Sequence, residues 1–281
     1  PGTVTASSMK LYMSHGINRV SMGLQSDNDQ RLEALGRIHT FKTYEDTYNM
    51  IRRMGIVNIN VDVMFGLSNQ TMAEWQHTLE TVKRLNPEHV SAYSLIIEPD
   101  TVYEEKYDEG KLNLPDEDLE REMFWVTQGF MKEAGYVHYE ISNYAKEGYE
   151  SKHNSSYWDL TPYIGVGLGA SSYYDGCRYT NISTMVTYIE AEGSIDRIRE
   201  LEQPYKESTA LEETFFLGLR RLKGVNIQEL RDRYDDDYLE IYDEIIVELV
   251  KEELLIIDGD YIRLSNRGVD ISNHVMSKFI L

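Results

Sequence analysis

Between residues 153 and 158 the chain reads HNSSYW: an imidazole and an amide side by side, then a phenol and an indole three positions on. His153 can ligate a metal through a neutral ring nitrogen, and Asn154 can donate and accept hydrogen bonds. Tyr157 and Trp158 each offer a flat apolar face and one polar handle. The same four residues serve equally well as an aromatic-rich turn, with His153 and Asn154 bonded to backbone and the two rings filling a core. A glycine-punctuated run, GVGLGASS, follows at 165–172. Its spacing fails the G-x-G-x-x-G dinucleotide pattern, and its glycines are read as permitting close backbone approach. Gln25, Asp62 and Glu98 are three further polar residues near the ends of apolar runs. Arg37 follows a glycine helix stop and suits either a surface ion pair or a bidentate carboxylate clamp. His138 and Tyr139 suit a strand packed in the core or a ligand pocket, and His39 and His77 lie in ordinary loop and helix contexts. Cys177 is the single cysteine. It excludes internal disulfides, fits a reducing compartment such as the cytoplasm, and cannot alone build a cysteine-ligated zinc or iron–sulfur site.

The elements that must position these groups alternate. Residues 17–26, INRVSMGLQS, place Val20, Met22 and Leu24 on one face and Arg19, Ser21, Gly23 and Gln25 on the other. Residues 57–67 repeat the arrangement, with Val57, Ile59, Val61, Val63 and Phe65 opposite Asn58, Asn60, Asp62 and Met64, and 89–99 form a third, more apolar run. Each reads as a strand. Helical patterns lie between them around 29–35, over 44–54 and over 72–85, the last opening with a Thr71–Glu74 capping-box spacing. Such alternation predicts βαβ units and a parallel sheet. The polar face admits two explanations, a half-exposed antiparallel sheet or a barrel whose polar lumen binds a ligand at its C-terminal strand ends, where Gln25, Asp62 and Glu98 fall.

A helix at about 115–134 comes next, then irregular strands and glycine loops over 136–145 and 155–179. The Glu-rich segment 190–213 reads as a bridge. Helices are expected at 213–222, 225–234 and 237–254, a hairpin at 254–265 around Asp258-Gly259, and a last helix to Phe279. The expected division is 1–180 for the barrel and the strands that follow, 181–211 for the bridge, and 212–281 for a winged-helix-like domain. That last segment carries 9 Lys/Arg against 16 Asp/Glu, and the 281-residue chain has 28 against 48, a formal charge of −20. Phosphate backbones are repelled by such a surface, which argues against nucleic acid as a partner. No apolar run is long enough to span a membrane, and 41% hydrophobic residues suffices for a folded core.

Five segments in order, NRVSMGLQS…LGRIHT (18–40), INVDVMFGLSNQT (59–71), VSAYSLIIEPDT (90–101), HYEISNYA (138–145) and HNSSYWDLTPYIGVGLGASS (153–172), resemble the radical S-adenosylmethionine proteins around oxygen-independent coproporphyrinogen III oxidase. More closely they resemble the HemW-type haem chaperones of that group. The resemblance implies an α/β fold: a partial radical-SAM TIM-like barrel lacking its first strands, with a C-terminal helical, winged-helix-like domain. It implies that Gln25, Arg37 and Asp62 line an S-adenosylmethionine pocket, with Ile96 and Ser171 touching the same ligand. The opening Pro-Gly-Thr looks like the end of the family's third-strand segment, so the Cys-x3-Cys-x2-Cys loop that holds a [4Fe–4S] cluster is expected upstream of this sequence.

Two functions follow from the resemblance. One is a cytoplasmic chaperone that binds haem and delivers it to haemoproteins, and the HNxxYW pattern associated with it is intact as His153, Asn154, Tyr157 and Trp158. His153 then becomes the candidate axial ligand of haem iron, a remote alternative being the Cys177 thiolate. The other is the oxidase, which decarboxylates propionate side chains in porphyrin biosynthesis. An acidic winged-helix interaction module is a third reading. A homodimer and a peripheral membrane contact stay open.

Overall fold

The computed structural model describes residues 1–204 and 207–280, with the side chains of all of these except 102, 201–204, 207, 208 and 236–238. The chain divides into two compact units, Pro1–Glu150 and Ser151–Leu281.

The first unit runs α1 (Ala6–Ser14), β1 (Arg19–Gln25), α2 (Asp29–Ala34), α3 (Phe41–Arg53), β2 (Asn58–Phe65), α4 (Met72–Leu85), β3 (His89–Ser94), α5 (Val102–Asp108), α6 (Glu117–Glu133), β4 (Val137–Glu140) and β5 (Asn143–Ala145). Its sheet has the order β1-β2-β3-β5-β4. The first three strands are parallel, as the helical crossovers require, and the β4–β5 hairpin closes the order antiparallel. The period-2 pattern decides the faces. Ile59, Val61, Val63 and Phe65 are buried beside Val90 and Ala92, and meet Tyr44, Tyr48, Trp75, Leu79 and Met123 from the helices in one apolar core. Trp75 anchors it, with its indole N–H donating to Thr127 Oγ1 at 2.9 Å. The helix starts are chemically specified: the Thr71 hydroxyl accepts from Glu74 N, and Glu74 Oε2 accepts from Thr71 N at 3.0 Å, closing the expected capping box.

The second unit contains α7 (Lys152–Trp158), β6 (Ser171–Tyr174), β7 (Cys177–Asn181), α8 (Met185–Glu190), α9 (Ile195–Ile198), β8 (Arg199–Pro204), α10 (Glu207–Gly218), β9 (Val225–Asn226), α11 (Ile227–Arg233), α12 (Asp236–Lys251), β10 (Leu255–Asp258), β11 (Tyr261–Leu264), α13 (Asn266–Asp270) and α14 (Ser272–Ser277). Residues 151–180, grouped with the barrel in the sequence reading, belong to this unit, where α7 packs on α10. The segment read as a bridge supplies β8, which pairs antiparallel with β7. A second small sheet, β10-β11-β9, stands beside α10 to α12. Its hairpin turns at Gly259-Asp260 rather than Asp258-Gly259, because Asp258 is already paired with Tyr261. Phe215, Tyr242 and Phe279 stack in the core of this helical part, with Phe215 and Phe279 ring centroids 4.5 Å apart.

Candidate functional site

Two sites take shape, one in each unit. In the first, the polar face of β1–β3 is built in layers by the parallel register. Ser21, Asn60 and His89 stand opposite one another, and Gly23, Asp62 and Ser91 form the next layer. Asn60 is the hub. Its Nδ2 donates to Ser21 Oγ at 2.8 Å and to Asp62 Oδ1 at 2.7 Å, which turns Oδ1 toward β3 to accept from His89 Nδ1 at 2.6 Å and Ser91 Oγ at 3.2 Å. His89 Nε2 is then left to accept from the Tyr139 hydroxyl at 2.8 Å. Burial, and then the nearby Arg19 charge, hold the His89 imidazole down at about 3, so it is neutral with its proton on Nδ1.

Gln25 ends β1 at φ 66°, past a register shift between Gly23 and Gln25. Its side chain folds back over Gly23: a Cβ there would stand 2.7 Å from Gln25 Nε2. The missing side chain at Gly23 leaves room for this fold-back, which carries the Gln25 amide over the position opposite Asp62. Farther along the same face, Met64 helps line a cavity of about 430 Å³ with Arg37, Ile96, Glu98 and Lys106. That size suits a small-molecule site. Arg37 is exposed and has no acidic partner among the described residues, so the guanidinium is available to a ligand carboxylate. Arg37 and Ile96 thus share one cavity, whereas Gln25 and Asp62 stand on the strand face and are not among the residues that line it. Ser171 is an exposed residue opening β6 in the second unit. Glu98 lies four residues past the end of β3 and reaches the cavity from the following loop.

In the second unit HNSSYW is a helix, not a turn or an irregular strand. Ser151 caps it, its hydroxyl accepting from Asn154 N at 3.3 Å, which offsets the weak helix propensity of Asn and Ser. The helical period places His153 and Tyr157 one turn apart on one face, His153 Nε2 and Tyr157 Oη hydrogen-bonded at 3.1 Å with the rings perpendicular. Tyr157 in turn meets Tyr163 edge-on at 4.8 Å. His153 is exposed and Asn154 half-buried. Trp158 carries the Arg220 guanidinium 4.7 Å from its ring centre, while its own indole N–H is buried with no acceptor among the described residues.

The glycine run serves this scaffold. A Cβ at Gly165 would stand 2.1 Å from the Ser171 carbonyl oxygen, so the close approach is to β6 rather than to a ligand. His138 is structural as well: it stacks on Tyr144 at 4.3 Å, Nε2 donates to the Ile141 carbonyl, Nδ1 accepts from Gln128, and burial holds its pKa below the usual value. Cys177 is a free, half-buried thiol.

The Radical SAM superfamily matches residues 1–82, and the HemN C-terminal domain matches residues 206–271. The chain is 34% identical to the heme chaperone HemW of Lactococcus lactis subsp. lactis and 34% identical to that of Bacillus subtilis, in each case over all of this chain and 74% of the relative. The chain belongs to the HemW family of radical SAM proteins. Among solved structures, coproporphyrinogen III oxidase from Escherichia coli, a radical SAM enzyme, superposes with a TM-score of 0.81 at 18% identity, over 99% of this chain and 67% of that one. That likeness fixes the HemW-family chain's fold as the HemN type of α/β radical SAM architecture.

His89 and Ser91 do not stand out as site residues in the sequence because β3 reads as mainly apolar. The signal was present: in HVSAYS, His89, Ser91 and Tyr93 alternate with Val90 and Ala92, the same period that exposed Asn60 and Asp62 on β2. A [4Fe–4S] cluster needs several thiolates; this sequence has one cysteine, and no group of three His, Cys, Asp or Glu side chains stands together among the described residues. The residues here do not make a cluster site.

Proposed function

We propose that this chain binds haem at the α7 helix and delivers it to a haemoprotein in the cytoplasm, on a radical SAM scaffold whose strand ends bind S-adenosylmethionine. The observation that carries the haem reading is the α7 constellation: an exposed His153 imidazole held edge-on to Tyr157, with Asn154 and Trp158 on the same short helix. Haem iron takes a neutral imidazole as an axial ligand, and His153, being solvent-facing, needs no rearrangement of a core to meet it. Among the described residues no helix is long and apolar enough to cross a membrane.

For S-adenosylmethionine, the amide of Gln25 and the carboxylate of Asp62 supply donor and acceptor to an amine or ribose hydroxyl. Arg37 is placed to hold the amino-acid carboxylate, and Ile96 offers apolar contact. Bound beside a cluster, that cofactor supplies radical chemistry; the residues here bind and orient it.

Haem titration of the anaerobically purified full-length protein, with the three-cysteine loop expected upstream of this sequence, tests the reading. The expected result is a Soret band that saturates near one haem per chain, with affinity about tenfold or more weaker in His153→Ala. No haem uptake, together with protoporphyrinogen formed from coproporphyrinogen III, would overturn it in favour of the oxidase.

A further inference from the structure

The second unit holds a cleft that the axial-ligand reading leaves unused. Trp158, Asp159, Gly218, Arg221, Glu229 and Arg233 line it, and its volume is about 250 Å³. That is below the range of roughly 300–1,000 Å³ for pockets that enclose a whole small molecule, so it suits one arm of a larger ligand.

The donors around this cleft are unbalanced. Trp158 Nε1, Arg220 Nε and Arg221 Nε are all buried N–H groups with no acceptor among the described residues. Of ten buried side-chain polar atoms without a partner among the described residues, three meet at this corner, with Trp158 and Arg221 in the cleft wall and Arg220 over the Trp158 ring, and buried donors of this kind call for an acceptor. A carboxylate matches them: it brings two oxygens, several lone pairs and a negative charge, in the planar geometry that a guanidinium reads bidentately. At present Arg221 is paired with Asp159, whose side chain is 43% exposed. Half-exposed pairs of this kind are weak, so one carboxylate can replace another at little cost. Trp158 stands five positions after His153 on α7, a helical rise of roughly 7.5 Å. The same five positions also turn about 140° around the axis, so a porphyrin held at the imidazole has to lie across the C-terminal end of this short helix to bring one carboxylate arm to the cleft.

We propose that this cleft is a carboxylate site in which Arg221 and Arg233 hold a propionate arm of the haem bound at α7. The inference rests on the haem reading and adds to it a means of orienting the macrocycle, with Asp159 as the internal competitor that occupies Arg221 when no ligand is bound.

The test compares ferric haem with its dimethyl ester, in which both propionates are neutral, by Soret titration of the whole chain. Wild type is expected to bind haem about tenfold more tightly than the ester. Arg221→Gln and the exposed Arg233→Gln should each shrink that ratio, whereas Asp159→Asn, by releasing Arg221, should widen it. Ester affinity should stay constant throughout, which separates lost recognition from misfolding. Equal affinity of wild type for haem and ester, or a ratio unmoved by all three substitutions, overturns the carboxylate site and leaves the haem reading standing. Uptake of neither ligand overturns the haem reading, and the cleft assignment with it.

Discussion

The Asn60-centred layers of β1–β3 and the Trp158 corner of the second unit solve opposite problems; the adjoining Arg19–Asn58 layer, where Arg19 Nε and Asn58 Oδ1 also lack partners among the described residues, lies outside the closed network. On the strands, Asn60 satisfies Ser21, Asp62, His89 and Ser91 at once, and Tyr139 completes the chain. At Trp158 three buried N–H donors have no acceptor among the described residues. A finished network is rigid before any ligand comes, because each member has already exchanged water for a partner. An unfinished one carries a desolvation cost that a ligand can relieve. The first region is pre-organised before any ligand arrives, and in the second, on the proposal above, an incoming group completes the bonding.

The largest expected effect comes from breaking the finished network. Asn60→Ala strips the acceptor from His89 and Ser91 and the amide from Asp62, leaving buried polar groups unpaired. The first unit should lose about 3 kcal/mol, seen as a lower urea midpoint at unchanged slope. Next comes the titration of His89. Its folded pKa near 3 lies below the unfolded value of about 6.5, so the unfolded chain binds the proton first. The His89 contribution to stability is therefore intact above pH 6.5 and lost progressively as the pH falls toward 3. At pH 5 the loss is about 2 kcal/mol. Urea unfolding at pH 7 and pH 5 should show that loss in wild type, whereas His89→Gln should keep only the part of the pH dependence that comes from the other imidazoles lowered by burial, His138 and His39. Equal pH sensitivity in both proteins would show that the imidazole is not held neutral by this network.

What was legible in the sequence was local. The period-2 faces of β1 and β2, the Thr71–Glu74 capping box and the terminal hairpin follow from residue order within a dozen positions, and the structure has them. What was not legible depends on partners far along the chain. Arg37 and Ile96 meet at one cavity across 59 residues, and His89 joins the polar layer only through the β2–β3 register. HNSSYW was obscured for a different reason: Asn and two Ser residues argue against a helix, and the deciding cap, Ser151, lies just upstream of the segment that attracts attention. The Gly165 requirement could be read as close backbone approach, but only the fold shows that the neighbour is the Ser171 carbonyl.

The smallest expected effect is the most discriminating. Trp158→Phe keeps an aromatic ring under the Arg220 guanidinium and removes the indole N–H. If that donor is unpaired in the free protein, deleting it relieves a desolvation cost while the smaller ring loses some packing; the two oppose, and stability should move by less than about 1 kcal/mol. A partnered donor would behave as Asn60 does, and its loss would cost distinctly more. Haem affinity should respond in the other direction. The substitution deletes a group that the bound ligand would satisfy, so uptake should weaken severalfold although the fold is unharmed. A protein that is destabilised by Trp158→Phe yet binds haem as before would mean that the indole N–H already has its partner, and the contrast between the two regions would dissolve.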